Sequence, residues 1–162
     1  MGALAATLYD YVLALHIMSV VVAFGFVFAL PIVYYVAVPN DPRSLPLLHR
    51  VEYTVERLLI NPALLVLLLA GAYLASDGNH WSEFFVQWGL GVVIVIGAIV
   101  GSVMIPTAKR AEQTAARDLA AVDGGQADPS KEYLALTRRL NLVGSLLGVL
   151  VLITIVIMTV KP

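Results

Sequence analysis

Nine of the ten lysine and arginine residues fall into two segments, set among four long apolar stretches. Arg43, Arg50 and Arg57 form the first segment; Lys109, Arg110, Arg117, Lys131, Arg138 and Arg139 form the second. Only Lys161 stands apart, near the C-terminus. Positive residues collect in cytoplasmic loops, so four spans with basic loops after the first and third have one favoured arrangement. Both basic loops face the cytoplasm and both termini face outward. The chain therefore reads as a multi-pass membrane protein.

Composition supports this class. With 60% hydrophobic and 13% charged residues, 162 residues could not hide so much apolar surface as a water-soluble domain. Mean hydropathy is +0.88. The expected fold is all-α, a transmembrane four-helix bundle with a helical cytoplasmic extension between spans three and four. It forms one integral membrane domain over residues 1–162, in contact with the lipid bilayer. A net charge of −1 gives no field for nucleic acid. The lack of cysteine excludes disulfides, iron–sulfur clusters and thiolate metal sites. No Lys or Arg precedes the first span, and its apolar run is too long for a signal-peptide core.

The spans are expected near residues 9–38, 58–75, 84–105 and 140–160. Tyr9, Tyr11, Tyr34 and Tyr35 mark the two interfaces of span one, with Trp81 and Trp88 in the outer belt. Pro31 is expected to kink span one, and Pro39-Asn40-Asp41-Pro42 to end it. The polar stretch Ser44–Arg57 is expected on or under the inner surface, with Asn61-Pro62 perturbing the first turn of span two. A short outer loop, Ser76–Glu83, leads to span three. That helix is expected to continue over Thr107–Val122, with Gly124-Gly125 breaking it. Asp128-Pro129 reads as an N-cap with proline in the first helical position. The segment Lys109–Arg139 mixes Glu112, Asp118, Asp123 and Asp128 with its basic residues, so a solvated helical hairpin is expected rather than a polybasic lipid switch.

Two glycine pairs, Gly97/Gly101 and Gly144/Gly148, stand four residues apart in spans three and four. Such spacing predicts a close crossing of these helices in the cytoplasmic half of the membrane. A faint internal echo joins spans one and three through Pro31 and Pro106. Another joins spans two and four through Arg57-Leu58 and Arg139-Leu140, each with an asparagine nearby.

His16 is the leading functional candidate. It lies about 12 Å deep in span one, where hydrocarbon offers an ionisable group no partner. A neutral imidazole there can ligate haem iron. The structural alternative is a hydrogen bond to a neighbouring helix through Gln87, Thr154 or a backbone carbonyl. His16 and Met18 point to nearly opposite helix faces, so a copper-type His-x-Met site is disfavoured. A second haem ligand is not evident: His80 lies in the outer loop, Met158 near the outer end of span four, and His49 on the cytoplasmic side. At the inner mouth, Glu52, Glu56, Arg57, Asn61, Arg138 and Arg139 face one side of the membrane. A Glu56–Arg139 pair could lock span two to span four; the functional alternative is a site for an anionic headgroup, a propionate or a quinone. Asp10, at the outer end, reads as an interfacial, solvated carboxylate, with proton or cation binding as the alternative.

Leu15-His16 followed by Pro31, with Ala23 and Gly25 between, resembles a known membrane superfamily. So do Glu56-Arg57-Leu58-Leu59, Pro62-Ala63 and Gly71. The pattern is similar to that of HemJ-type protoporphyrinogen oxidases and CopD-like copper-resistance domains. A closer resemblance is to an uncharacterised bacterial family of predicted integral membrane proteins, whose C-terminus is like Met158-Thr159-Val160-Lys161-Pro162. The resemblance implies a four-span plan and haem b on His16. Two departures count against the oxidase activity: span three carries no lysine, and Ile32 stands where an arginine usually follows the proline. Three functional readings result. The first is a haem b-binding or redox-linked membrane protein. The second is an accessory or assembly subunit of a larger membrane complex, or a homo-oligomer. The third is a CopD-like copper or solute transport component, disfavoured by the lack of cysteine and of a methionine cluster. No motif for nucleophilic catalysis or phosphate binding is present, and no substrate is implied.

Overall fold

The computed structural model describes residues 7–121 and 129–161, with Pro42 described by its backbone alone. Among the described residues every regular element is helical. Helix α1 spans Leu8–Asn40, and a 3-10 turn at Pro42–Ser44 leads into α2, Leu45–Val55. A π turn at Glu56–Ile60 joins α2 to α3, Asn61–Asp77. Helix α4 spans Phe84–Ile99, and a second π turn at Val100–Met104 joins it to α5, Ile105–Ala120. Helix α6 spans Lys131–Val160.

Four continuous helices result, Leu8–Asn40, Leu45–Asp77, Phe84–Ala120 and Lys131–Val160, each long and apolar enough to cross a membrane. A 33-residue helix measures about 50 Å, against a hydrocarbon core of about 30 Å. The excess projects at one end as α2, α5 and the start of α6. All nine clustered basic residues belong to this projecting end, called here the basic end.

The π turns have a local cause. Each stands just before a proline: Asn61-Pro62 in one case, Ile105-Pro106 in the other. A proline ring in an α-helix collides with the carbonyl four residues earlier. Here the residue ahead of each proline donates five residues back, Asn61 to the Glu56 carbonyl and Ile105 to the Val100 carbonyl. The wider turn moves the obstructing carbonyl aside, and the helix runs on. The perturbation expected at Asn61-Pro62 takes this form. In contrast, α1 passes through Pro31 and Pro39 and ends only at Asn40, two residues beyond the span expected.

Helix α1 packs on α3; α4 lies between α3 and α6; α5 packs on α2 and α6. The core runs the length of the bundle, from Ala23, Phe24, Leu67 and Val92 to Met104, Ala108, Ala111 and Tyr133. Outward faces carry large apolar side chains such as Met18, Val21, Leu65, Leu69, Ile94, Leu142 and Val156. Such faces suit acyl chains, and a helix carries most of its backbone hydrogen bonds within itself.

Three expectations need correction. The stretch Ser44–Arg57 does not lie across the bundle end; α2 stands upright as the continuation of α3 and packs on α5. The segment from Lys109 is not solvated on all sides. Ala108, Ala111 and Ala115 form a stripe at helical spacing that is buried with α2 as neighbour. Ala108 and Ala111 are both 0% exposed, because small side chains let the two helices close up. The cap of α6 is Ser130 rather than Asp128, its hydroxyl accepting from the Tyr133 N–H at 3.2 Å. Val122, Asp123, Gly124, Gly125, Asp128 and Pro162 lie outside the described residues.

Spans three and four pack on each other, and the four glycines face different surroundings. A Cβ added at Gly144 would stand 3.9 Å from the Met104 side chain, one at Gly97 4.0 Å from Leu64 of α3, and one at Gly148 3.9 Å from Phe28 of α1. Gly101 has open space beside it. These glycines admit side chains from several helices, so small size serves packing rather than one crossing point.

Candidate functional site

Two cavities lie between the helices, one at each end of the bundle. The cavity at the termini end, about 520 Å³, is walled by α1, α3, α4 and α6 and includes His16, His80, Met158 and Lys161. The cavity at the basic end, about 970 Å³, includes Tyr34, His49, Glu52, Glu56, Tyr133 and Thr137. Both volumes fall within the range of small-molecule and cofactor sites.

His16 is half-buried, and its Nδ1 lies 3.2 Å from the backbone carbonyl of Leu67 in α3. A carbonyl only accepts, so Nδ1 carries the proton and Nε2 keeps its lone pair. Among the described residues Nε2 has no hydrogen-bond partner. The ring can approach because Gly71, one turn beyond Leu67, has no side chain: a Cβ there would stand 3.1 Å from His16 Cε1. Of the partners considered from sequence, only the backbone carbonyl is used. Thr154 accepts from the Trp88 indole N–H at 3.1 Å, and Gln87 donates to the Trp81 carbonyl at 3.2 Å. Trp88 therefore turns into the bundle, while Trp81 stays exposed and donates to Ser76 Oγ at 3.1 Å.

Other groups close the cavity at the termini end. Met158 lies against Gly89, where any side chain would displace it. The His80 ring sits over Gly78 with its centroid 6.3 Å from that of Phe85, and the Lys161 ammonium is 5.4 Å from the Phe85 centroid. His80 and Met158 thus share one cavity with His16, which linear spacing left open. Met18 is exposed, away from His16. Asp10 serves to start α1. Its carboxylate accepts from the Thr7 N–H at 2.7 Å, while Thr7 Oγ1 accepts from the Asp10 N–H at 3.4 Å. Together they form a capping box at the first turn of the helix.

The basic end holds a polar network that sequence reasoning missed. His49 is 1% exposed. Its Nδ1 lies 2.7 Å from Tyr34 Oη and 3.0 Å from Glu52 Oε2. Its Nε2 lies 3.0 Å from Tyr133 Oη. Tyr34 donates to Glu52 Oε2 at 2.8 Å. Helices α1, α2 and α6 are joined through one imidazole. Glu56, 5% exposed, lines the same cavity, yet its Oε2 has no partner. The available signal was the spacing of His49, Glu52 and Glu56, which places three polar groups on one helix face.

The basic residues assigned to this mouth do not join it. Arg57, Arg138 and Arg139 are not buried in the cavity wall, and Asn61 is half-buried. Among the described residues Glu56 and Arg139 form no ion pair; the network on α2 pairs with tyrosines instead. The ion pairs that link helices here are Arg50–Glu112, at 2.7 Å between α2 and α5, and Arg117–Glu132, at 3.0 Å between α5 and α6.

Four apolar helices enclosing a cavity at each end define an integral, multi-pass membrane protein. Residues 10–162 match the family described as Predicted integral membrane protein (DUF2269), and the chain belongs to it. No curated protein and no solved structure matches the chain.

Proposed function

We propose that this protein binds haem b in the cavity at the termini end, with His16 Nε2 as an axial ligand, and serves a redox or haem-linked role in a bacterial inner membrane. The observation that carries the reading is the His16–Leu67 bond. A ligating histidine characteristically gives its other N–H to a carbonyl, which fixes the tautomer and the ring orientation. His16 has that arrangement already. The cavity fits the group: its volume and apolar walls suit a flat macrocycle, and His80 and Met158 are further donors on the same wall. Lys161 at the mouth would pair with a propionate. Bound there, haem supplies one-electron chemistry; the chain's own residues hold the ligand nitrogen deprotonated and keep water from it.

The placement of the basic residues supports a cytoplasmic basic end and outward termini. The resemblance to HemJ-type proteins points the same way as His16, through Leu15-His16, Pro31 and Gly71. The copper-transport reading gains no support, since among the described residues no three His, Asp or Glu side chains come together as a metal site.

The test is the absorption spectrum of protein purified after haem-replete expression. A Soret band that is lost in His16→Ala, with the variant still folded and monodisperse, is expected. A colourless wild-type protein overturns the reading. Co-purification with a larger complex and no chromophore would favour an accessory subunit instead.

A further inference from the structure

We infer that the cavity at the basic end binds the head of a lipid-soluble hydroquinone, one of whose hydroxyls donates to Glu56 Oε2. This proposal does not depend on haem at His16, which lies in the other cavity.

The argument begins with an acceptor that has no donor. Glu56 is buried to 5% exposure, yet its Oε2 makes no hydrogen bond. Leaving a buried acceptor unmatched costs about 1–3 kcal/mol, so a site that keeps one open is ready for a ligand that supplies a donor. Glu52, one turn away, is already served by Tyr34 and His49. Thr137 lines the same cavity, within hydrogen-bond reach of Tyr133. The site therefore asks for a hydroxyl that can give a hydrogen bond to Glu56 Oε2.

The charge of the lining narrows the ligand further. Among the described residues no lysine or arginine lines this cavity. An anionic headgroup or a propionate would meet two carboxyl groups and no lysine or arginine, which disfavours the anionic ligands considered from sequence. An alkylammonium would match the carboxyls, but dehydrating a full charge costs far more than dehydrating a hydroxyl. The rest of the wall favours a ring. Phe26, Phe28, Tyr34 and Tyr35 border the cavity, and aromatic faces pack well on a planar head. An exit also exists. The cavity lies between α1 and α6, where Tyr35, Val149 and Leu152 are exposed on the lipid-facing side. An isoprenoid tail can leave there without crossing polar groups.

The test uses the purified full-length protein in detergent and four probes: decylubiquinol, decylubiquinone, dodecylamine and dodecyl phosphate. Saturable binding of decylubiquinol is expected, with decylubiquinone weaker because it has no hydroxyl to donate. Glu56→Leu should weaken the quinol about tenfold or more, the value of one hydrogen bond to a carboxylate. The same variant should unfold no earlier than wild type, since it removes an unmatched polar atom. His16→Ala should bind the quinol as wild type does, which separates this site from the haem proposal. Gly144→Leu, which narrows the cavity opposite the network, supplies a second variant if Glu56→Leu does not fold; it too should weaken the quinol. Quinol binding equal to wild type in Glu56→Leu and in Gly144→Leu overturns the proposal. So does tighter binding of dodecylamine or dodecyl phosphate than of the quinol, or no saturable quinol binding.

Discussion

His16 donates its Nδ1 proton to the backbone carbonyl of Leu67, 3.2 Å away, and this single bond decides which nitrogen of the imidazole is free. The donor must reach across from α1 to α3, and it reaches only because Gly71 leaves a gap beside Leu67. A backbone carbonyl cannot be removed by mutation, but the gap can be filled.

Gly71→Ala would place a methyl 3.1 Å from His16 Cε1, tighter than ordinary contact. The ring must then shift and its bond to Leu67 lengthen. Loss of an orienting partner typically costs 10–100-fold in metal affinity, so haem retention should fall about tenfold. A haem titration of the purified variant checks this. Retention equal to wild type would show that the Gly71 gap does not position the ring.

His49→Ala removes the centre of the Tyr34–His49–Glu52–Tyr133 network and takes one partner from each of the other three, although Tyr34 still donates to Glu52. The expected loss is about 3 kcal/mol or more. Tyr133→Phe deletes one bond at the edge of the network and should cost about 1–2 kcal/mol, because Nε2 is left buried without a partner. Thermal unfolding in detergent orders the two variants. Equal midpoints for wild type and His49→Ala would deny the network a structural role.

Ala111→Leu tests the close packing of α2 on α5. Ala111 is 0% exposed, so a larger side chain has no space unless the helices part. Overpacking of this kind costs about 1–3 kcal/mol. Ala116→Leu, on the exposed face of the same helix, is the control and should change little. A midpoint for Ala111→Leu within error of that control would mean that the seam between α2 and α5 is loose.

Single cysteines test the orientation without background, since the chain contains none. A membrane-impermeant maleimide applied to intact cells should label Asn79→Cys in the loop after α3 and not Arg43→Cys after α1. The reverse pattern would invert the proposed topology.

The sequence made some of these features legible and hid others for physical reasons. Four spans could be read because about twenty apolar residues in series have few other uses. Asn61-Pro62 announced a disturbed turn because proline lacks an N–H. The upright placement of α2 was not legible. Its polar residues look like a surface helix until α5 is seen to bury one face of it. Nor was the network at the basic end visible: His49, Tyr34 and Tyr133 lie far apart in sequence, and only helix packing joins them. Arg139 was expected to meet Glu56, but its α6 turn faces outward, so charge complementarity in the sequence did not become contact. The glycine pairs said less about contacts, because their spacing records small size, not which neighbour uses it.

By itself, the sequence determined that this chain is a bundle of four apolar helices with nine basic residues at one end and an ionisable His16 in the opposite half. Those properties are local: hydropathy, length and charge act along the chain without reference to a partner. The tertiary structure alone decided which groups meet. It set His16 on the Leu67 carbonyl, brought His80 and Met158 to the same cavity, and left Glu56 Oε2 open in another. Hydrogen bonds act over about 3 Å, and that scale is governed by helix rotation and packing rather than by residue spacing.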